Sequence, residues 1–374
     1  MTVTSTAEER DLLRASVRDA LAKLSTSADV RRAMATARGV EEPVWHRLAS
    51  ELGLPGLTLP AEFGGSDLTE QELAIAFEEA GARLLCAPLF ATAGLAVPLL
   101  QALRDEAAIA RYAPSIASGD LTATVALAED AGLWRADAVR CTATRDDDHW
   151  RIDGVKNYVL DGATARLVLV VAMAGAELGV FAVHGGVPGL EGEQLVTLDQ
   201  TRKQARLVFT RAPAVRVGAG DAMSSIERAT AVSRALLAAE QVGGAQHCFD
   251  MTVGYAKSRI QFGRPIGSFQ AVKQRLAEML VLVESARSAA LAAVTAAATG
   301  DEEVEHVAAI AALTCGDAYT WVTEQTIQLH GGIGFTWEHD AHLYFKRARA
   351  SALLLGTASE LVELIGRHLE STVS

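Results

Sequence analysis

The sequence predicts an α+β fold in three successive parts: an N-terminal helical domain, a middle β-domain and a C-terminal helical bundle. Three observations predict it. Apolar residues recur at helical spacing up to Gly119. Short β-branched or alternating runs, bounded by Gly, Asp and Pro, then fill the stretch from Thr122 to Phe209. Helical periodicity returns at Ala222 and holds to the C-terminus. The expected domains are residues 1–119, 120–218 and 219–374.

Residues 7–24 follow a Ser/Thr-rich start and carry Glu8 and Glu9 in the first turn, where negative charge suits the helix dipole. A second helix is expected near residues 42–52. Gly53-Leu-Pro-Gly-Leu-Thr-Leu-Pro60 turns the chain into Ala61-Glu-Phe-Gly-Gly65, and residues 70–82 and 88–103 continue as Ala- and Leu-rich helices. Strands are expected at 122–128, 139–144, 150–153, 167–172, 180–184 and 205–209, folded as a sandwich or barrel. The later helices have Ala-rich faces suited to close packing. One spans 231–257 and the next 269–297, separated by the breakers Gly263 and Pro265; residues 291–300 are expected to fray into a surface loop with 301–305.

A chain of 374 residues, half of them hydrophobic, can bury a large core. Its net charge of −12 opposes nucleic acid and anionic membrane as partners, because phosphate binding needs a basic face. The N-terminus lacks a basic and apolar signal region, and no charge-free apolar run reaches the ~20 residues of a membrane span. A soluble, cytoplasmic protein is expected. Cys86, Cys141, Cys248 and Cys315 stand singly, without metal or disulfide spacing, and read as core thiols. His339, Asp340 and His342 sit at a helix start without the two-His helical ligand pattern, so no metal is expected there.

Two loops between long helices carry the most information: Arg259-Ile-Gln-Phe-Gly-Arg-Pro-Ile-Gly-Ser-Phe-Gln270 and Gln328-Leu-His-Gly-Gly-Ile-Gly-Phe335. Glycines leave a backbone that an extended ligand can approach closely, and a guanidinium forks onto phosphate oxygens. The combination RxxFGxPIxxFQ and QxHGGxGF resembles the acyl-CoA dehydrogenase family of flavoproteins, over nearly the whole chain. So does the segment Leu52-Gly53 followed by Pro60-Ala-Glu-Phe-Gly-Gly65. The resemblance implies that Arg259, Phe262, Gln328 and Gly332, with Gln270 and Gly331 beside them, meet the adenosine and pyrophosphate part of FAD across a subunit interface. It also implies an acyl-CoA substrate, an electron-transferring flavoprotein as electron acceptor, and a homo- or hetero-oligomer.

The same resemblance exposes what is missing. Such a dehydrogenase needs a carboxylate to take the α-proton while the β-hydrogen leaves as hydride. The family's usual Y-E-G-T stretch reads Leu354-Leu355-Gly356-Thr357 here, with Leu355 in the Glu position. A minority carries the base just before a substrate-side Arg, matched by Arg234, but Ser233 precedes it. Glu240 is the remaining acid on that helix, two turns or about 10 Å further along, and is the candidate base; a structural carboxylate paired to an Arg is the alternative. In the β-domain, Ala128-Glu-Asp-Ala-Gly-Leu-Trp134 replaces the family's T-E-P-x-A-G-S-D. Lys156-Asn-Tyr-Val-Leu-Asp-Gly162 replaces K-x-W-I-T-N-G, so Tyr158 can stack on the flavin ring while Leu160 cannot donate to it. Motifs serving a neighbour's FAD are kept and those serving the chain's own are weakened. Three readings follow: an acyl-CoA dehydrogenase of lipid or steroid side-chain oxidation, a non-catalytic subunit completing a partner's FAD site, and a flavin monooxygenase of the same fold.

Overall fold

A computed structural model describes residues 5–130, 134–147 and 149–373. Six helices come first: α1 (Ala7–Leu24), α2 (Ser27–Ala35), α3 (Glu42–His46), α4 (Glu70–Ala82), α5 (Val97–Ala102) and α6 (Glu106–Ala117). Seven strands follow: β1 (Ala123–Ala126), β2 (Thr142–Asp146), β3 (His149–Leu160), β4 (Leu167–Ala174), β5 (Glu177–His184), β6 (Leu190–Gln194) and β7 (Gln204–Val217). The chain then returns to helix in α7 (Met223–Ser258), passes a small hairpin of β8 (Ile260–Gln261) and β9 (Arg264–Pro265), and ends in α8 (Gln270–Thr299), α9 (Val304–His330), α10 (Ala341–Ser351) and α11 (Ala358–Val373). By contacts it divides into two compact units. One comprises Arg31–Leu73 and Cys86–Ser233 with the residues up to Ala7; the other comprises Glu8–Val30, Ala74–Leu85 and the residues from Arg234 on.

The first unit contains the sheet, and its pairing closes on itself. β4 pairs with β1, β2 and β5, and β7 with β3, β5 and β6, so β2, β3, β7, β5 and β4 form a ring. β4 is apolar without alternation and its first six residues are buried, as a strand covered on both faces requires. Ile152, Val168, Val170, Phe181, Leu207 and Phe209 fill the interior. Irregular register between Lys156 and Val159 bulges β3, and Tyr158 sits in the bulge with φ 55°.

The second unit is helical, and its closest crossing is made by glycines. A Cβ on Gly81 of α4 would lie 2.0 Å from the carbonyl oxygen of Glu240, and one on Gly243 of α7 would lie 1.8 Å from that of Glu78. The two helices touch backbone to backbone at a reciprocal pair. Gly in a helix interior costs about 0.5–1 kcal/mol relative to Ala, and the contact it allows offsets that cost. Ion pairs of Arg14 and Arg18 with Glu78 and Glu79 hold α1 beside the same stretch of α4.

The structure differs from the sequence expectations at several elements. Helix α2 was not expected, although a capping box marks it: Thr26 N–H donates to Asp29 Oδ2 at 2.9 Å, and Asp29 N–H to Thr26 Oγ1 at 3.3 Å. Strand β6, Leu-Glu-Gly-Glu-Gln, lacks apolar alternation and gives no strand signal. Residues 291–300 do not fray, because Ala293, Val294, Ala296 and Ala297 are buried and Gly300 closes the helix at φ 71°. Among the described residues α8 is the one helix long and apolar enough to cross a membrane, with a mean hydropathy of 1.5 over 18 residues. It packs along α9 and leaves Leu280, Val281 and Leu291 exposed.

Candidate functional site

Both motif loops lie in the helical unit, and one stack joins them. The rings of Tyr255, near the end of α7, and His330, the last residue of α9, are 4.4 Å apart and nearly parallel. One turn back, Thr252 Oγ1 donates to Thr326 Oγ1 at 3.1 Å. His330 Nδ1–H donates to the Thr326 carbonyl at 2.7 Å, which fixes the tautomer and leaves a buried Nε2 without a partner among the described residues. Burial lowers the His330 pKa; neighbouring His339 adds to this and the bond to Thr326 opposes it.

Beyond α7 the chain reverses through a two-residue hairpin loop in which Phe262 (φ 50°) and Gly263 (φ 76°) are both left-handed, as the favoured hairpin turn demands. That turn carries Phe262 outward, 92 % exposed. Arg264 lies 4.1 Å over the ring of Phe269, and Gln270 opens α8 on the surface. Arg259 is exposed and has no carboxylate partner among the described residues. At the other loop Gln328 is exposed, and Gly331 takes φ 64°, ψ −142°, a conformation open to glycine. Nothing lies within 4 Å of a Cβ on Gly331 or Gly332, so their backbone faces open space. The structure thus brings Arg259, Phe262, Gln270, Gln328, Gly331 and Gly332 to one joined end of the bundle. Ile260, Ile333, Phe335 and Trp337 add apolar area there.

The positions expected to hold a base are differently built. Arg234 donates Nε–H to the carbonyl of Leu355 at 2.8 Å, and burial lowers its pKa against the pull of Glu305 and Glu360. Ser233 is buried and donates to the Ala229 carbonyl. Glu240 does not stand in an apolar pocket as its sequence neighbours suggested. Its Oε1 accepts from Arg347 Nη1 at 2.8 Å, with both side chains almost wholly buried, which is the alternative the sequence allowed. The partner lies 107 residues away on α10, beyond the reach of local pattern.

In the sheet unit Tyr158 is half-exposed and Leu160 is buried. Of the 128–134 segment, residues 131–133 lie outside the described residues. A buried pair missed by the sequence reading sits beside it: Lys156 Nζ donates to Glu129 Oε1 at 2.7 Å and to the Leu127 carbonyl at 3.0 Å. Glu129 also accepts from the backbone N–H groups of Arg140 and Cys141. Burial alone would raise the Glu129 carboxyl, but Lys156 and those N–H groups outweigh it and hold it below the usual range. Burial also pushes the Lys156 ammonium down and the Cys141 thiol up to about 11.

An arginine-bearing hairpin and a glycine turn thus meet at one end of the helical bundle. Residues 7–120 match the description "Acyl-CoA dehydrogenase, N-terminal domain" and residues 220–370 "Acyl-CoA dehydrogenase, C-terminal domain". Acyl-CoA dehydrogenase IpdE2 of Mycobacterium tuberculosis is 35% identical over 366 residues, 98% of each chain. A chain of a Tcur3481–Tcur3483 steroid ACAD variant is 31% identical at a TM-score of 0.89, covering 98% of this chain and 99% of that one. A chain of the ChsE4–ChsE5 complex from Mycobacterium tuberculosis is 26% identical at a TM-score of 0.88, covering 98% of each. The chain belongs to the acyl-CoA dehydrogenase family, whose members depend on FAD.

Proposed function

We propose that the chain is a subunit of an acyl-CoA dehydrogenase that desaturates an acyl-CoA thioester between Cα and Cβ, and that the catalytic carboxylate comes from a different chain. One observation supports this reading: Leu355, at the position where the resemblance expects the family's base, has its carbonyl tied to Arg234. Leucine accepts no proton, and the tie takes one of the five N–H groups of the arginine that the resemblance assigns to substrate. Glu240, the other candidate, is engaged by Arg347.

The adenosine side fits FAD. Arg259 has no carboxylate partner among the described residues, the space beside the α-carbons of Gly331 and Gly332 is open, and Phe262 and Gln328 are exposed on the same joined end. These residues would hold phosphate and adenosine for a neighbouring subunit. When bound, FAD supplies the acceptor for the β-hydrogen as hydride, while a base takes the α-proton and the Cα–Cβ double bond forms. An electron-transferring flavoprotein is the expected next acceptor. A steroid-derived acyl-CoA is the proposed substrate class, supported by the identity to the steroid ACAD chain, and paired chain names among the relatives of known structure support a heteromer.

The test is the visible spectrum of the purified chain, alone and after co-expression with a family member that carries the Glu, followed by anaerobic addition of short, long and steroid-like acyl-CoAs. Flavin retained and bleached only in the co-expressed complex supports the reading. Bleaching by the chain alone sinks it, and Glu240→Gln then decides whether Glu240 is the base.

A further inference from the structure

A cavity of about 660 Å³ opens in the sheet unit, among residues that the reading above leaves without a role. Its walls are the turn after β3, the glycine turn that follows β5, and Gly192 of β6. Backbones meet closely here. A Cβ on Gly185 would lie 2.5 Å from the Ala165 carbonyl oxygen, and one on Gly192 would lie 3.2 Å from the Cα of Ala163. The walls are therefore bare backbone, and the few side chains that line the cavity decide its chemistry.

Those side chains divide by character. Leu121, Leu190 and Leu207 are apolar; Arg166 and His184 are donors, while the Thr164 hydroxyl donates to the Asp161 carbonyl at 3.2 Å. The Arg166 side chain gives one bond, from Nη1 to the Asp120 carbonyl at 2.7 Å, and among the described residues it has no ion pair. Its remaining N–H groups are available. His184 has no hydrogen bond among the described residues, and its ring lies 6.0 Å from that of Tyr112. The Tyr112 hydroxyl is itself buried and has no hydrogen-bond partner among the described residues, with the Arg111 guanidinium 5.4 Å over the ring. Burial, and then Arg111, lower the His184 pKa, which leaves a neutral imidazole with one N–H to give. The guanidinium fork of Arg166 and the imidazole of His184 suit an oxyanion, and a phosphomonoester, with three terminal oxygens and up to two negative charges, gains more from the guanidinium than a carboxylate with one. The volume lies in the range of ordinary small-molecule sites.

We propose that this cavity binds an organic phosphate, a phosphomonoester whose oxyanion meets Arg166 and His184 and whose apolar body rests on Leu121, Leu190 and Leu207. The site is separate from the Arg259 and Gly331 face in sequence, and none of its lining residues belongs to that face.

The test is titration calorimetry of the full chain with 1-naphthyl phosphate, which carries no adenine and so does not imitate a dinucleotide. Saturable binding that Arg166→Gln weakens at least tenfold, that Gly192→Val abolishes by filling the cavity, and that Arg259→Gln leaves unchanged is the expected result. Inorganic phosphate and 1-naphthoate should each bind more weakly than the combined ligand. The proposal is overturned if the wild-type chain shows no saturable binding, if Arg166→Gln binds as well as wild type, or if Arg259→Gln abolishes binding. Circular dichroism of each variant separates loss of the site from loss of the fold.

Discussion

The Nε–H of Arg234 meets the carbonyl oxygen of Leu355 at 2.8 Å, across 121 residues of sequence. The bond holds the loop between α10 and α11 from one side. On the other side the Thr357–Glu360 capping box fixes the start of α11, with Thr357 N–H donating to Glu360 Oε2 at 2.8 Å. Removing the arginine should free one end of the loop and leave the other anchored. In Arg234→Met, amide exchange at residues 354–356 should quicken about ten- to a hundredfold, equivalent to the ~1.5–3 kcal/mol of a hydrogen bond to a charged group. Unchanged exchange would mean that the loop is held by packing alone.

The Glu240–Arg347 pair is a buried charge pair, so breaking it from either side strands an ion. Glu240→Gln and Arg347→Met should each cost about 3–5 kcal/mol in chemical denaturation, and the double variant should recover part of the loss. Additive losses would refute the coupling.

At the reciprocal glycine crossing, a methyl group on either helix meets a carbonyl oxygen of the other. Gly81→Ala and Gly243→Ala should each destabilise by about 1–3 kcal/mol, despite the better helix propensity of alanine. A gain in melting temperature for either would show that the helices can separate at little cost.

Four histidines, His184, His247, His306 and His330, have pKa values lowered in the fold, chiefly by burial. The unfolded chain takes up protons near the ordinary value of about 6.5, before the folded chain does. Their contribution is thus complete above that pH and is lost as the pH falls through the folded values. Melting temperature should drop from pH 7.5 to 5.5, and the drop should be smaller in His247→Gln and His330→Gln. A slope identical to wild type in both would remove these groups from the account.

All four cysteines are buried. Burial pushes the Cys141 thiol up to about 11 and the Cys315 thiol to about 12, so little thiolate exists at neutral pH. The native protein should react with a thiol reagent at pH 8 only as fast as it opens, with all four thiols titrating in denaturant. A fast native thiol would contradict the burial.

Much of this was legible in the sequence. Period and punctuation located the long helices and most strands, because amphipathic faces and Gly or Pro breaks act over a few residues. The two loops were recognisable because Arg259, Phe262 and the Gly331–Gly332 pair need their own spacing and little else. What could not be read was contact between distant segments. Arg347 gives no sign that it answers Glu240, Lys156 none that it reaches Glu129, and Tyr255 none that it stacks on His330. The polar strand β6 was missed because its place is set by pairing with β7 rather than by burying a face of its own.

The helical unit also imposes an order of events on synthesis. Helix α1 and the glycine end of α4 leave the ribosome within the first quarter of the chain, yet the backbone that Gly81 packs against begins only at Glu240. Until then the early helices present an unpartnered face, and closing so long a loop is slow and open to misassembly. Nascent chains stalled before Gly243 should therefore be cut readily by protease near residues 74–85, and chains stalled beyond α9 should resist. Helix α1 and residues 74–85 thus wait on the last third of the chain for their cover.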